Sequence, residues 1–477
     1  MAKKKSITKN YIYNASYQAL TLITPLITTP YISRVLEADG IGVYSFTTSI
    51  VSYFTMFGIL GTLSYGNREI SYLQEERKAR SKVFWEVELL SVITALIAMF
   101  AYILFVIFAV KENRLFYWIQ LISFVTIAAD ITWLLQGMEE FGKIVGRNLF
   151  FKILSIVYIF AFVKSKEDLI LHIAGNLVIS CMIQLSVWGY VPKFVDAPDW
   201  KQLKPFRHIN GAIALFIPTI AISIYTVLDK TMIGIFSNAY ENGYYEQALN
   251  LSKTVLTLVT SLGAVMIPRM GFHYNKGEQE EVKKLMYQSY RFVWFLGVPL
   301  CFGLIGVAGN IVPWFYGDGF LKLTILLPVL SFLIPAIGMS NVTGMQYLIT
   351  TKRENLLTLS VGVGAVVNFI LNMILIPRFQ AIGAAMASVI AEVVITGFQF
   401  VLVRKEISVG KVLKSGWKYL LAGGMMLALL VMQNQVFKPS ILNTACMVVS
   451  GGTVYFVILV LLRDEFVSGY IKKILRK

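Results

Sequence analysis

The sequence predicts an all-α integral membrane protein of fourteen transmembrane helices, and three observations carry that prediction. Fourteen separate stretches are apolar and long enough to cross a bilayer, a crossing helix needing about 20 mostly apolar residues. The composition is 56% hydrophobic and only 15% charged, with a mean hydropathy of +0.67, whereas soluble domains are about 25% charged. The basic residues also alternate by side. If both termini are cytoplasmic, 33 of the 43 Lys and Arg lie in the N-terminal tail, the even-numbered connections and the C-terminal tail, as the positive-inside rule requires. Helices and closed barrels alone satisfy their backbone polar groups in lipid. No connection is long enough to be a soluble catalytic domain, so the function is carried out within the membrane part.

The first span, 10–33, follows the basic Met1-Ala-Lys-Lys-Lys. Asn14, Gln18 and Thr21 interrupt its apolar run and no small-residue cleavage site follows, so the expectation is a retained helix and not a signal peptide. Asn14, Gln18, Thr21, Pro25 and Thr28 recur at helical steps and share one face. That face is either helix packing through small polar groups or the wet wall of a cavity, and Asn14 and Gln18 are larger than packing needs. Pro25 frees a backbone carbonyl and lets the helix bend. Spans 41–63, 83–109, 115–135, 144–163 and 169–191 complete a first group of six. Spans 209–236, 244–267, 288–311, 320–340, 355–376 and 381–403 form a second, and 416–434 and 440–462 follow it. The expected domains are 1–208, 209–403, and 404–477, the last holding two extra helices and a basic cytoplasmic tail.

The two groups of six resemble each other. At an offset of 201 residues Gly42-Val43-Tyr44 aligns with Gly243-Tyr244-Tyr245, Arg68 with Arg269 and Lys82 with Lys283. Six spans is an even number, so the copies share one orientation. Parallel repeats of this kind are an arrangement of secondary transporters, with a substrate path between two lobes.

Other functions are excluded or disfavoured. The net charge of +16 sits in short loops between spans and not on a soluble face, which argues against a nucleic-acid partner. No G-x-x-x-x-G-K-[ST] motif occurs, Gly142-Lys143 and Gly410-Lys411 being followed by Ile144 and Val412, which argues against ATP hydrolysis. Cys181, Cys301 and Cys446 have no metal or redox spacing, and His172, His208 and His273 stand alone near span ends. No metal and no cofactor is expected, coupling to H⁺ or Na⁺ apart.

Charges inside a span cost roughly 2.5–3.5 kcal/mol on insertion scales, so each is a functional candidate. Asp130, Asp229, Lys230 and Glu392 qualify best, while Arg34, Arg147 and Lys253 lie near span ends, where Arg and Lys can also snorkel to the headgroups. Asp229 and Lys230 are neighbours, about 100° apart on a helix, so they cannot simply neutralise each other.

Several segments together resemble the oligosaccharide flippases of bacterial surface polysaccharide synthesis, the Wzx-type members of the multidrug/oligosaccharidyl-lipid/polysaccharide exporter superfamily. They are Pro30-Tyr31-Ile32-Ser33-Arg34-Val35-Leu36 with Gly42-Val43-Tyr44-Ser45-Phe46, then Gly66-Asn67-Arg68-Glu69, and Asp130 through Glu139 with Arg147-Asn148. Leu228 through Gly234 leads to Gly243 through Ala248, followed by Ile267-Pro268-Arg269, Asn372 through Pro377, Gly383-Ala384-Ala385 and Glu392. The likeness runs from about residue 10 to 405 and rests on the order and spacing of the segments. One departure stands out, because the pattern usually has Gly after Arg-Val-Leu and here Glu37 takes that place, next to Arg34.

The resemblance implies two six-helix lobes around a central cavity that opens alternately to each side of a bacterial cytoplasmic membrane, with both termini cytoplasmic. It implies a lipid-linked oligosaccharide on undecaprenyl pyrophosphate as substrate, and polysaccharide polymerase and glycosyltransferases as partners. Its motif-matched cations Arg34, Arg68, Arg147, Lys230 and Arg269 are candidates for the pyrophosphate, with Asn14 and Gln18 in the cavity wall. Asp130, Asp229 and Glu392 are candidates for ion coupling or for structural pairing with the cations. The alternatives are a peptidoglycan-precursor flippase and a cation-coupled multidrug or metabolite exporter of the same fold. The latter favours an aromatic, acidic pocket.

Overall fold

The structure is a computed structural model that describes residues 7–468; the side chains of residues 7–22, 141, 217–219, 221 and 222 lie outside the description. The described chain contains helices, turns and loops, with no strand among the described residues. The helices are α1 Ile7–Ile59, α2 Thr62–Tyr72, α3 Arg77–Phe108, α4 Arg114–Ile119, α5 Ile122–Ala128, α6 Thr132–Gly137, α7 Phe141–Phe162, α8 Leu169–Trp188, α9 Val191–Phe194 and α10 Ile209–Phe236. There follow α11 Ala239–Thr260, α12 Gly263–Asn275, α13 Gln279–Phe315, α14 Leu323–Ser331, α15 Leu333–Asn341 with a π-helical turn Val342–Leu348, α16 Glu354–Val403, α17 Val409–Lys414, α18 Trp417–Val436 and α19 Ile441–Leu461. The chain forms two compact units, Met1–Thr231 and Met232–Lys477. Their boundary falls inside α10, past the expected boundary at residue 208.

Among the described residues, eleven helical stretches are long and apolar enough to cross a membrane. Two of the eleven, Ile23–Tyr72 and Glu354–Val403, are 50 residues long, which would be about 75 Å if straight and more than twice the hydrocarbon thickness. Both are bent. α1 contains Glu37 at φ 54 and α16 contains Gln380 at φ 56, the left-handed region that interrupts an α-helix. Leu60 and Gly61, at φ 44 and 75, turn the chain again before α2. Glu37 stands where the family pattern has Gly, and its left-handed φ is the physical reason that pattern favours glycine.

The internal repeat is visible in the element bounds. α2 starts at Thr62 and α12 at Gly263, and α3 starts at Arg77 and α13 at Gln279, offsets of 201 and 202 residues. The kink at Glu37 corresponds to Asn238, where the chain leaves α10 and Asn238 caps α11 by accepting from the Glu241 N–H at 3.0 Å.

Each unit fastens its bends with ion pairs. In the first, Lys166 Nζ lies 3.1 Å from Glu37 and 2.9 Å from Asp39. In the second, Glu241 Oε2 accepts from the Ala381 N–H at 3.2 Å, and Lys322 Nζ lies 2.5 Å from Glu241 Oε1 and 3.1 Å from Gln380 Oε1. An amide freed by the break at Gln380 is thereby satisfied.

Two motif glycines are explained by close approach in the first unit. A Cβ on Gly66 would lie 2.6 Å from the Trp133 ring, and one on Gly137 would lie 2.7 Å from Ile70. The Gly66 and Asp130–Glu139 segments are thus two faces of one contact, α2 on α6, within a buried cluster of Ile70, Phe84, Val87, Leu90, Trp133, Leu134 and Leu135.

Candidate functional site

In the first unit the tight seat of α2 against α6 turns Arg68 outward. Its Nη2 lies 2.9 Å from Glu69 Oε1, and its guanidinium sits 5.1 Å from the Tyr65 ring centroid. The Tyr65 hydroxyl lies 2.8 Å from His208 Nδ1, and His208 Nε2 lies 2.9 Å from Glu86 Oε2. Arg207 Nη2 reaches the same oxygen at 2.5 Å, and the Lys204 N–H donates to Glu86 Oε1 at 2.9 Å. Glu86 is fully buried, so this carboxylate is held by an arginine, a histidine and a backbone amide, as a buried charge requires. His208 reads as isolated in the sequence; its partners come from α2 and α3, more than a hundred residues away.

The intramembrane acids have different surroundings. Asp130 Oδ1 accepts from the Thr132 N–H at 3.0 Å and from Thr132 Oγ1 at 2.5 Å, and its Oδ2 accepts from Gln184 Nε2 at 3.2 Å. It holds the first residue of α6 and ties that helix to α8. Asp229 is buried at 7% exposure in the turn before Thr231, whose hydroxyl lies 3.2 Å from Tyr53 Oη and donates to Ser49 Oγ at 3.0 Å. Lys230 beside it is half-buried. Glu392 is buried at 8% exposure in the second half of α16. Asp229, Lys230 and Glu392 each interact with other groups of the protein.

Arg34 is exposed and donates to the Pro30 carbonyl at 2.8 Å. Glu37 reaches Lys166 at 3.1 Å, so the acid introduced beside Arg34 has a cationic partner on another element. Arg147 donates to Asn148 Oδ1 at 3.0 Å. The side chains of Asn14 and Gln18 lie outside the described residues.

Arg269 has the most open setting. In the second unit a cavity of about 1070 Å³ is bounded by α12, the first turns of α13, α17 and residues 465–466. Five cations line it: Arg269, Lys283, Lys284, Arg291 and Lys411. Three are neutralised, Lys283 by Glu280 at 2.8 Å, Lys284 by Glu281 at 3.3 Å and Arg291 by Glu465 at 2.9 Å. The lining carboxylate of Glu406 is taken by a bidentate Arg353, at 2.6 and 2.8 Å, and by the Tyr347 hydroxyl. The Arg353 guanidinium holds the Glu406 carboxyl below the usual carboxylate range. Among the described residues Arg269 and Lys411 have no carboxylate partner; Lys411 Nζ rests 4.9 Å from the Tyr287 ring centroid. The cavity therefore presents two uncompensated positive charges, one of them the fork of an arginine.

The candidate residues are spread over both units. Arg34, Arg68, Asp130, Arg147, Asp229 and Lys230 belong to the first, Arg269 and Glu392 to the second. Sequence reasoning passed over Glu86 and Glu88 on α3 and Lys411 on α17. The alternation Trp85-Glu86-Val87-Glu88 at the start of an apolar span is the signal that points to the first two. Among the described residues no group of three His, Cys, Asp or Glu is placed to hold a metal ion.

Comparison with known proteins adds the following. A family model described as "Polysaccharide biosynthesis protein" matches residues 7–272. A protein of Escherichia coli (strain K12) named for O-antigen transport is 22% identical over 409 residues, covering 84% of this chain and 98% of that one. A Haloferax volcanii protein named as a flippase of low-salt glycan biosynthesis is 22% identical over 264 residues, 54% of each chain. Among solved structures, the lipid II flippase MurJ in an inward closed conformation superposes with a TM-score of 0.74 at 16% identity, covering 96% of this chain and all of that one. An inward-facing multidrug resistance MATE family transporter gives a TM-score of 0.57 at 13% identity, covering 86% of this chain and 98% of that one. At these identities the structural likeness concerns the fold.

Proposed function

Because the chain belongs to the polysaccharide biosynthesis protein family, we propose that it is a flippase. In this reading it moves undecaprenyl-pyrophosphate-linked oligosaccharide repeat units across the bacterial cytoplasmic membrane by alternating access, for capsular or O-antigen-type polysaccharide. It is a transporter and not an enzyme. The names of its relatives support glycan export, and the observation that carries the reading to a lipid-linked anion is the cavity of the second unit. Among the described residues that cavity offers Arg269 and Lys411 without a carboxylate paired to them.

The physical argument runs from cost to handle. Each unpaired polar group of a glycan costs several kcal/mol in hydrocarbon, so a polar passage is needed. Diphosphate is the densest charge on the substrate. Arginine meets it with two parallel N–H donors and lysine as a point charge. Arg269 and its repeat equivalent Arg68 lie on the side of the basic connections, which suits capture at the inner leaflet. Asp130, Asp229 and Glu392 remain the candidates for H⁺ or Na⁺ coupling. Flipping at full rate in liposomes without an ion gradient would remove that part.

The test is deletion of the gene followed by lipid extraction. The expected result is undecaprenyl-linked repeat units stranded on the inner leaflet, released by restoring the gene. Accumulation of peptidoglycan precursor instead would assign the alternative substrate. Normal export with no stranded intermediate would reject the flippase reading.

A further inference from the structure

One face of α3 changes character along its length. Lys78, Lys82, Trp85, Leu89 and Val92 follow one another at steps of four, three, four and three, the spacing of a single helix face. Lys78 is exposed, and the other four are half-buried. The stripe is cationic in its first turns, aromatic in the middle and aliphatic beyond. Lys82 to Val92 is about 15 Å along the helix. That is half of a hydrocarbon core about 30 Å thick, the depth of one leaflet.

Two cavities of the first unit open on this face, and Trp85 lines both. One, of about 530 Å³, lies between the start of α3 and residues 196–203 and carries Lys78 and Lys82. The other, of about 400 Å³, runs between α3, α5 and α8 and is walled by Leu89, Val92, Val125, Leu185 and Trp188. Glu88 backs that wall with both carboxyl oxygens buried, so the groove is apolar. The ring centroids of Trp188 and Trp200 lie 6.3 and 6.1 Å from that of Trp85. The three indoles therefore cluster where the cavities meet, and tryptophan favours the level of the headgroups.

The charges of the basic cavity sort into spent and unspent. Arg77 is taken by Asp196 at 2.8 Å and by the Pro192 and Lys193 carbonyls. Arg80 is buried and donates twice to the Phe194 carbonyl, at 3.0 and 2.8 Å. Asp199 accepts from Gln202 Nε2 at 2.7 Å and from the Lys201 N–H at 3.3 Å. Among the described residues Lys78 and Lys82 have no carboxylate partner. Two ammonium groups one helical turn apart are thus left above an apolar groove. An acyl chain is as well solvated by lipid as by leucine, so the groove seats a chain by shape, and the lysines select the headgroup by charge.

We propose that this face binds one anionic phospholipid, its phosphate on Lys78 and Lys82 and one acyl chain along the groove beneath Trp85. The proposal goes beyond the flippase reading and does not depend on it, and its test is a binding measurement that does not pass through transport.

The delipidated full chain is titrated in detergent with dioleoylphosphatidylglycerol, with dioleoylphosphatidylcholine as the zwitterionic lipid of the same chains. Native mass spectrometry counts the lipid bound. Wild type is expected to hold one phosphatidylglycerol at least tenfold more tightly than phosphatidylcholine. Lys78→Gln combined with Lys82→Gln should abolish that preference and leave phosphatidylcholine binding unchanged, which also reports an intact fold. Leu89→Trp, which fills the groove, should weaken both lipids several-fold. Phosphatidylglycerol with a diazirine on its acyl chain should label residues 89–92, Val125 or Leu185. Equal affinity of wild type and the double lysine variant for phosphatidylglycerol overturns the proposal, as does phosphatidylcholine bound as tightly or label confined to other helices. Undecaprenyl phosphate bound more tightly than phosphatidylglycerol at the labelled residues would assign the groove to a carrier lipid and overturn it equally.

Discussion

Arg269→Gln and Arg68→Gln should differ, and the structure says by how much. The two positions correspond in the repeat, so a purely electrostatic anchor would make them equivalent. Arg68 is already engaged, 2.9 Å from Glu69 and stacked 5.1 Å from the Tyr65 centroid. Arg269 has no carboxylate partner among the described residues and lines the large cavity. A charged hydrogen bond contributes about 1.5–3 kcal/mol, so losing the Arg269 fork should weaken apparent affinity for a diphosphate roughly 10- to 100-fold. Arg68 must first leave an exposed pair worth about 0–1 kcal/mol and a ring contact worth about 0.5–1 kcal/mol. Its substitution should therefore cost only a few-fold. Arg269→Lys should recover part of the loss, because the charge returns but the bidentate fork does not. The assay is initial flipping rate against substrate concentration in proteoliposomes carrying a fluorescent lipid-linked oligosaccharide, normalised to reconstituted protein. The double Arg68→Gln, Arg269→Gln variant should be slower than either single one. An Arg68→Gln loss as large as that of Arg269→Gln would refute the reasoning, as would wild-type rates in Arg269→Gln.

The remaining predictions concern stability and its dependence on pH. Glu37→Gly should raise the melting temperature in detergent, relieving a left-handed backbone that costs about 1–3 kcal/mol in a non-glycine residue; a lower melting temperature would mean that the Lys166 pair dominates. Glu86→Gln should destabilise, toward the lower end of the roughly 3–5 kcal/mol for breaking a buried pair, since Arg207 is half exposed while Glu86 is fully buried. Denaturant titration of the two proteins measures it, and unchanged stability would remove Glu86 from the framework. The Glu406 carboxyl is held low by Arg353. Its contribution is therefore present above the ordinary carboxylate range and is lost as pH falls through that range to the depressed value. Arg353→Gln should flatten the acid limb of melting temperature against pH, leaving the basic limb unchanged; a parallel shift of the whole curve would contradict the assignment.

Much of the architecture was legible because lipid leaves a chain few choices. Uninterrupted apolar length, alternation of Lys and Arg, and an offset of 201 residues all follow from covering backbone polar groups in hydrocarbon. The gaps between spans 10–33 and 41–63 and between 355–376 and 381–403 hold the bends at Glu37 and Gln380; what the sequence left hidden is what holds them. Residues 7–59 carry Pro25 and Pro30, yet the break is at Glu37, a residue with no intrinsic tendency to turn a helix. The bends at Glu37 and Gln380 are held by Lys166 in one unit and by Glu241 and Lys322 in the other. Such partners are separated by as many as 140 residues, so no local pattern announces them. The motif glycines show the converse case: Gly66 and Gly137 stand out in sequence, but only the approach of Trp133 and Ile70 explains them.

The acids of the first unit show why a charge in an apolar span is a weaker guide than its unmet hydrogen bonds. Asp130 drew attention because it interrupts an apolar run, and the same position gives it Thr132 two residues on and Gln184 across the bundle. A carboxylate so supplied has its hydrogen bonds met within the protein, at the first residue of α6 and at Gln184 of α8. Glu88 was hidden at the start of α3, where an acid reads as a headgroup contact, yet it is buried with neither oxygen hydrogen-bonded among the described residues. The same distinction separates Arg68 from Arg269. Whether a charged side chain is compensated depends on packing between elements distant in the chain.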